Sequence, residues 1–358
     1  MTDSGPPRTG DDPLRELLSS PWQGERPEGR RGRWLWLVGG LLLVAAVVVA
    51  ILVGARGGGT TTTTEQSALS TSTTEVSVPG FLGQPATRSL AVMLSVGDGR
   101  VVVVGGVRGE VLNPPGALLD ETWMYLVGEN LWYRMPDGSG PGPRIGPAAA
   151  FDGQSGVVVL FGGAREVEPV PCGWPSVLLC GSPALDDTWL LSPATGEWSA
   201  SQASGGPSAR FGAAVAYDSV SDRVVLFGGA RTTGDMARPE VFDDTWVYDA
   251  GTDEWTQMRP GTRPAARMFA SMAYDPESGL VLLWGGLGSL DSPTESAVWT
   301  YDLSADTWTE MPSRGESPPV GIGSAWLRLE TTGRFLLIGG VVPPGVAGNS
   351  GFQMVLSS

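Results

Sequence analysis

One unit, repeated at fixed offsets, constrains this chain more than any other feature. Residues 223–255 read RVVLFGGARTTGDMARPEVFDDTWVYDAGTDEW: an apolar run ending in a glycine pair, a polar loop, an aromatic run, a short turn and a second Trp. Glycine pairs recur at Gly105-Gly106, Gly162-Gly163, Gly228-Gly229, Gly285-Gly286 and Gly339-Gly340, in steps of 57, 66, 57 and 54 residues. A first Trp follows at Trp123, Trp189, Trp246 and Trp299, and a second stands nine residues on, at Trp132, Trp198, Trp255 and Trp308. Twelve residues beyond the second Trp comes an Arg, at Arg144, Arg210 and Arg267. A unit of this size cannot bury its apolar face alone, so copies stack on one another, as in solenoids and propellers.

Each copy resolves into four strands, expected in the third copy at residues 211–217, 223–227, 245–248 and 254–258. The second strand is almost continuously apolar, as a strand buried on both faces between neighbours must be. Turns from first to second strand carry the residues that turn chemistry favours, as in DSVSD, DPESG and DGQSG. Each Trp buries roughly 150–250 Å², so the Trp series supplies much of the core between units. Four-stranded units of about 50 residues around a central channel describe a β-propeller.

Glycine pairs after an apolar strand, a spaced aromatic strand (DDTWVYD, DDTWLLS, ETWMYLV, AVWTYDL) and the nine-residue step to a second Trp resemble kelch repeats. The resemblance covers residues 75–358, about four fifths of the chain. It implies an all-β, kelch-type β-propeller, and five glycine pairs predict five four-stranded blades. The fifth copy departs from the pattern: Val320 or Gly321 stands where Arg is expected, Phe352 holds the first Trp position, and no second Trp follows. In the first copy, Val103-Val104 ends the second strand where an aromatic is expected. Counting back twelve residues from Arg88, the first copy's equivalent of Arg267, reaches Val76. Residues 75–78 are therefore expected to supply the last blade's fourth strand and close the ring, leaving no open edge. Kelch-like galactose oxidases bind copper through His and Tyr, with a Tyr–Cys cross-link. This chain has no His, and that copper site cannot be assembled from it.

The segments ahead of the propeller read differently. Residues 1–33 are polar and rich in Pro, Gly, Arg and Asp, and are expected to be a disordered cytoplasmic tail. Residues 34–53 (WLWLVGGLLLVAAVVVAILV) carry no charge, and a helix of that length spans roughly 30 Å, the hydrocarbon thickness of a bilayer. Arg26, Arg30, Arg31 and Arg33 crowd its start, so the positive-inside rule leaves the N-terminus in the cytoplasm and the propeller outside. The expectation is thus a single-pass cell-membrane protein with an extracytoplasmic propeller. A cleaved signal is the rival, given the Arg30-Arg31 doublet and Val53-Gly54-Ala55. However, a signal's apolar stretch is typically about 7–15 residues long. Residues 54–74 are Gly-, Ser- and Thr-rich and read as a flexible stalk.

Site chemistry is sparse. The 23 basic residues are all Arg, and the net charge of −15 repels phosphate backbones, which argues against nucleic acid. Without His there is no imidazole base and no Ser-His-Asp triad. No cofactor or metal is expected. The pairs Asp186-Asp187 and Asp243-Asp244 suit either acid/base or calcium chemistry, or a structural role at the start of the third strand, and their repetition favours the latter. Arg88, Arg144, Arg210 and Arg267 read either as an anion-binding ring or, preferably, as ties from a strand end to a neighbouring blade. Cys172 and Cys180 (CGWPSVLLC) are close together on the expected outer side and read as a disulfide. Connections from second to third strand, at 107–119, 164–185, 230–242, 287–296 and 341–350, are long and variable. They emerge with the fourth-to-first connections on one face. On that face Arg165, Trp174, Arg231 and Arg238 are the expected binding residues, Trp and Arg being enriched among hot spots, although Trp174 equally suits packing inside its own loop. Two function classes stand open: a non-catalytic module binding protein, peptide or glycan, and an extracellular carbohydrate-active enzyme that uses carboxylates.

Overall fold

Within each blade the meander strands pair in chain order, each antiparallel to the next. The structure, a computed structural model, describes residues 81–108, 117–136, 138, 140–165, 183–232, 239–289, 292–293, 297–312, 323, 325–329 and 334–338. The chain divides into Met1–Gly57 and Gly58–Ser358, and every described residue lies in the second unit. The expected tail, membrane span, stalk and closing strand at 75–78 lie outside the described residues, as do Gly339, Gly340, Cys172, Cys180, Trp174 and Arg238. Among the described residues no helix is long and apolar enough to cross a membrane.

Three blades are complete four-stranded meanders. The second runs Ala148–Asp152, Val157–Phe161, Thr188–Ser192, Glu197–Ala200; the third Ala214–Asp218, Arg223–Phe227, Thr245–Asp249, Glu254–Gln257. The fourth runs Ser271–Asp275, Leu280–Trp284, Trp299–Asp302, Thr307–Glu310. Of the fifth copy, Ala325–Leu329 pairs with Arg334–Ile338. The first strand of copy three begins three residues later than the pattern suggests. Phe211 instead bridges Ala230, at the base of the next connection.

The first blade departs from the expected four strands. Val92–Ser95, Arg100–Val104, Thr122–Leu126 and Leu131–Arg134 form its meander, and Phe81–Leu82 adds a fifth strand on the outer edge. The described N-terminal residues therefore cover the first blade's open ladder. Gly83 N–H continues the contact, donating to the Trp132 carbonyl at 3.2 Å. Here the chain passes over Trp123, where a Cβ on Gly83 would stand 2.9 Å from the ring.

Apolar side chains alternate between the two faces of each second strand and so fill both neighbouring seams. Val102 and Val104 pack with Val158 and Leu160 between blades one and two. Val159 and Phe161 meet Val224, Leu226, Tyr248 and Trp255 in the next seam. Val225 and Phe227 meet Val281, Leu283, Tyr301 and Trp308 in the third. The second Trp of blades two, three and four also donates its indole N–H across its seam to the Thr that opens the preceding blade's third strand. The pairs are Trp198–Thr122 (3.0 Å), Trp255–Thr188 (2.9 Å) and Trp308–Thr245 (2.9 Å). A buried indole N–H needs such a partner, because leaving it unmade costs about 1–3 kcal/mol.

A belt of backbone hydrogen bonds links equivalent residues of successive copies. Gly146 N–H donates to Leu90 O, Gly212 to Gly146, Phe269 to Gly212 and Gly323 to Phe269. All five residues have φ between 55° and 66°. For Phe269 and Leu90 this left-handed conformation costs roughly 1–2 kcal/mol each. The Phe269 ring rests on Phe211, at 6.1 Å between centroids, and fills space beside Gly146 and Gly212.

Candidate binding face

The end of the blades that carries the long connections is built around the glycine pairs. Gly105, with φ 65°, lies so close to the next blade that a Cβ would stand 2.7 Å from Arg144 O. The second glycine of each pair donates its N–H to that same carbonyl position one blade on: Gly106 to Arg144, Gly163 to Arg210 and Gly229 to Arg267. The Arg backbone thus ties two blades together.

The Arg side chains turn back into their own blades. Arg144, Arg210 and Arg267 are fully buried. Each donates from Nη1 to the first glycine's carbonyl of its own blade: Arg144 to Gly162 (2.9 Å), Arg210 to Gly228 (2.9 Å) and Arg267 to Gly285 (3.2 Å). Arg88 does the same to Gly105 at 3.0 Å. Arg144 adds a two-pronged contact with Asp187, at 2.8 and 2.9 Å, and Arg210 one with Asp244, at 2.5 and 2.9 Å. Arg88 pairs with Glu121 at 2.9 Å. The first Trp of each of these blades completes the clamp with its indole N–H: Trp123 to Glu121 (2.9 Å), Trp189 to Asp187 and Trp246 to Asp244 (both 2.7 Å).

Burial alone would raise the pKa of Asp187, Asp244 and Glu121. The hydrogen bonds and positive charge of their Arg partners, with the indole N–H, outweigh it and hold all three below the ordinary carboxylate value. These carboxylates are spent on structure. The two sequence readings of the Arg row are corrected accordingly: the guanidinium groups form no open anion ring, and they bind their own blade, whereas their backbone carbonyls reach the neighbour. Glu121 was missed in the sequence because it ends an Asp-Glu pair, Asp120-Glu121, where copies two and three carry Asp-Asp. The usable signal is an acid two residues before the first Trp. Blade four has Ala297 there, and Trp299 Nε1 is buried with no hydrogen-bond partner among the described residues.

A second Arg row stands two residues past the first three glycine pairs, at Arg108, Arg165 and Arg231. The preceding residues, Val107, Ala164 and Ala230, are fully buried in one cluster with Ile145, Phe211, Met268 and Leu287. That cluster is where second-to-third and fourth-to-first connections meet, through the bridges Ile145–Ala164, Phe211–Ala230 and Met268–Leu287. Just beyond it the Arg side chains are exposed, Arg165 by 58% and Arg231 by 41%. Arg231 pairs with Glu240 at 2.7 Å and lies over the Phe242 ring, whose centroid Arg210 approaches to 4.1 Å. Of the expected binding residues, the structure places Arg165 and Arg231 at equivalent positions on adjacent blades.

The opposite turns spend their carboxylates on backbone and side chains of their own blade and, at Asp253 and Asp306, on the preceding blade's fourth-to-first connection. Asp152 Oδ1 and Asp218 Oδ1 each accept two backbone N–H groups of their own turns. At the third-to-fourth turns, Tyr248 and Tyr301 donate to Asp253 (2.6 Å) and Asp306 (2.8 Å). Burial first, and then these carboxylates, push both phenols far above their ordinary pKa.

Two clefts bear on the catalytic alternative. One, of about 210 Å³, is lined by Asp243, Asp244, Thr245, Gln257, Met258, Arg259, Pro260 and Arg263, but Asp244 belongs to the clamp and Asp243 pairs with Arg263 at 2.8 Å. The other, an open groove of about 530 Å³, holds Asp253 and Glu254. The Asp253 carboxylate is taken up by Ser201, the Gln202 N–H and Tyr248. In neither cleft does a free carboxylate pair face a reacting position.

A family model described as the KLHDC2/KLHL20/DRC7 Kelch-repeats domain matches residues 176–349. Kelch-like protein 34 of Homo sapiens is 32% identical over 221 residues, covering 61% of this chain and 29% of that protein. Rab9 effector protein with kelch motifs of Xenopus laevis is 24% identical over 250 residues, covering 68% and 58%. Multiple epidermal growth factor-like domains protein 8 of Mus musculus is 26% identical over 246 residues, covering 55% and 9%. The chain spans less than two thirds of each of these relatives. The matches and the blade geometry agree on the resemblance read from the repeats.

Proposed function

From a kelch-repeat domain whose variable connections meet at one end of its blades, we propose a non-catalytic module that binds a protein partner through that end. The observation that carries this reading is the contrast between the two ends. One presents exposed Arg side chains on a rigid base of glycine pairs, beside connections that differ in length from blade to blade. The other consists of short turns whose carboxylates already accept hydrogen bonds within the turn or from the adjoining blade. Binding residues concentrate on loops held by a rigid scaffold, and the kelch relatives supply the precedent of a protein-interaction domain. The location is part of the proposal. Residues 34–53 anchor the chain in a membrane with the Arg-rich N-terminus inside, and residues 54–74 hold the domain away from the outer surface.

Photo-crosslinking on the full chain in the membranes of its host tests this reading. Benzoylphenylalanine in place of Arg231 reports on the long-loop end, and in place of Val220, which is 76% exposed, on the short turns. A discrete protein adduct from position 231 and none from position 220 is expected. Adducts from position 220 alone, or from neither, contradict the proposal.

A further inference from the structure

We infer that the long-loop end takes an acidic peptide segment, received by Arg108, Arg165 and Arg231 over blades one to three and away from blade four. This rests on the protein-binding reading above and names the chemistry of the partner.

The three residues share a register, and it is their surplus charge that distinguishes them. Arg108 is exposed, and its side chain makes no hydrogen bond or ion pair with any described residue. Arg165 lies 3.9 Å from Asp187, but both oxygens of that carboxylate already accept from Arg144, and one also from Trp189. Arg165 is therefore a second cation beside a spent anion. Arg231 has a full partner in Glu240, with 41% and 45% of the two side chains exposed. An exposed pair of this kind contributes roughly 0–1 kcal/mol, so an incoming carboxylate can replace Glu240 at little cost. The guanidinium fork matches a carboxylate in two-pronged geometry, which makes Arg the residue suited to this contact.

Position follows from the repeat. Val107, Ala164 and Ala230 lie in one buried cluster, so the Arg residues that follow them rise from adjacent points of a common floor. The fourth member of that floor is Leu287, and the residue after it is Gly288. Blade four thus offers neither the exposed Arg nor, with Ala297, the buried acid. The ligand is held off-centre. The net charge of −15 sharpens the choice: an acidic segment is repelled elsewhere, and beyond a screening length of about 8 Å only local charge counts.

Random peptides displayed on phage, selected on the full chain in detergent, supply the probe. Selected peptides are labelled and their affinities measured by fluorescence anisotropy. The proteins compared are the unaltered chain, the double variant Arg108→Gln/Arg165→Gln, and Arg263→Gln as an exposed Arg outside the row. The expected result is peptides with clustered Asp or Glu, weakened about tenfold or more by the double variant, and weakened further by salt. Arg263→Gln should leave them within about twofold. Neutral or basic peptides that bind the double variant as well as the parent, yet are lost when Arg231 is replaced by Glu, overturn this inference and leave the protein-binding face standing. Peptides lost only on substitution of Val220 overturn both. Failure to select any peptide overturns the inference, as does a sulfated oligosaccharide whose binding depends on the same two Arg while acidic peptides do not bind.

Discussion

Two rows of Arg run through this domain at nearly the same spacing, and they lie in opposite environments. The row before the first strands, Arg88, Arg144, Arg210 and Arg267, is buried, and its donors go to glycine carbonyls and, in blades one to three, to an acid. The row after the glycine pairs, Arg108, Arg165 and Arg231, is exposed and weakly committed. Residue type and periodicity cannot separate the two. Burial does: a guanidinium taken out of water must be paired, whereas one left in water remains available to a partner. The first row supports the blades, and the second stands in solvent, where the proposed binding role needs it.

The largest break in this comparison comes from the buried row. Asp244→Ala leaves Arg210 buried without its carboxylate and should cost about 3–5 kcal/mol, read as a lower urea midpoint. The folded pKa of Asp244 lies below its ordinary value of 3.8. Its stabilisation is therefore complete above about that pH and is lost as pH falls through the folded value. The stability gap between variant and parent should narrow below about pH 4. A gap that widens on acidification would remove the Arg210–Asp244 pair from its supporting role.

A smaller effect is expected from the seam. Thr245→Val deprives the Trp308 indole N–H of its acceptor and should cost about 2 kcal/mol. Blade four has Val298 at the equivalent position, and it is buried, so Val298→Thr adds a buried hydroxyl and should itself cost about 1 kcal/mol or more. Equal melting temperatures for Thr245→Val and the parent would show that the seams rest on apolar packing alone.

Blade four sharpens the comparison from the other side. Ala297→Asp offers a carboxylate where blades one to three have one, and gives the buried Trp299 N–H an acceptor. Stabilisation of about 1 kcal/mol is expected, a rise of roughly 2–4 °C in Tm. A fall in Tm would mean that this blade has repacked around the small side chain.

Much of this architecture was legible in the sequence, because glycine pairs and Trp recur in fixed register and steric need dictates both. Second strands came out as read. The clamp was only half legible. Its acid appears as Glu121, Asp187, Asp244 and finally Ala297, and which blade an Arg side chain serves depends on a turn of the backbone that spacing does not encode. The edge strand Phe81–Leu82 was illegible, since two apolar residues carry no period. Arg108 was passed over because loop length and composition drew attention to other copies, although its place two residues after Gly106 matches Arg165 and Arg231.

The division of labour between the two rows is tested most directly by measuring Tm and partner affinity together for Arg210→Gln and Arg165→Gln. The partner is the protein recovered by crosslinking from position 231. Arg210→Gln should lower Tm by several degrees, since it removes a buried charge-assisted network. Arg165→Gln should leave Tm nearly unchanged and weaken partner binding. If Arg165→Gln destabilises the domain while binding is untouched, the exposed row is structural and the account fails.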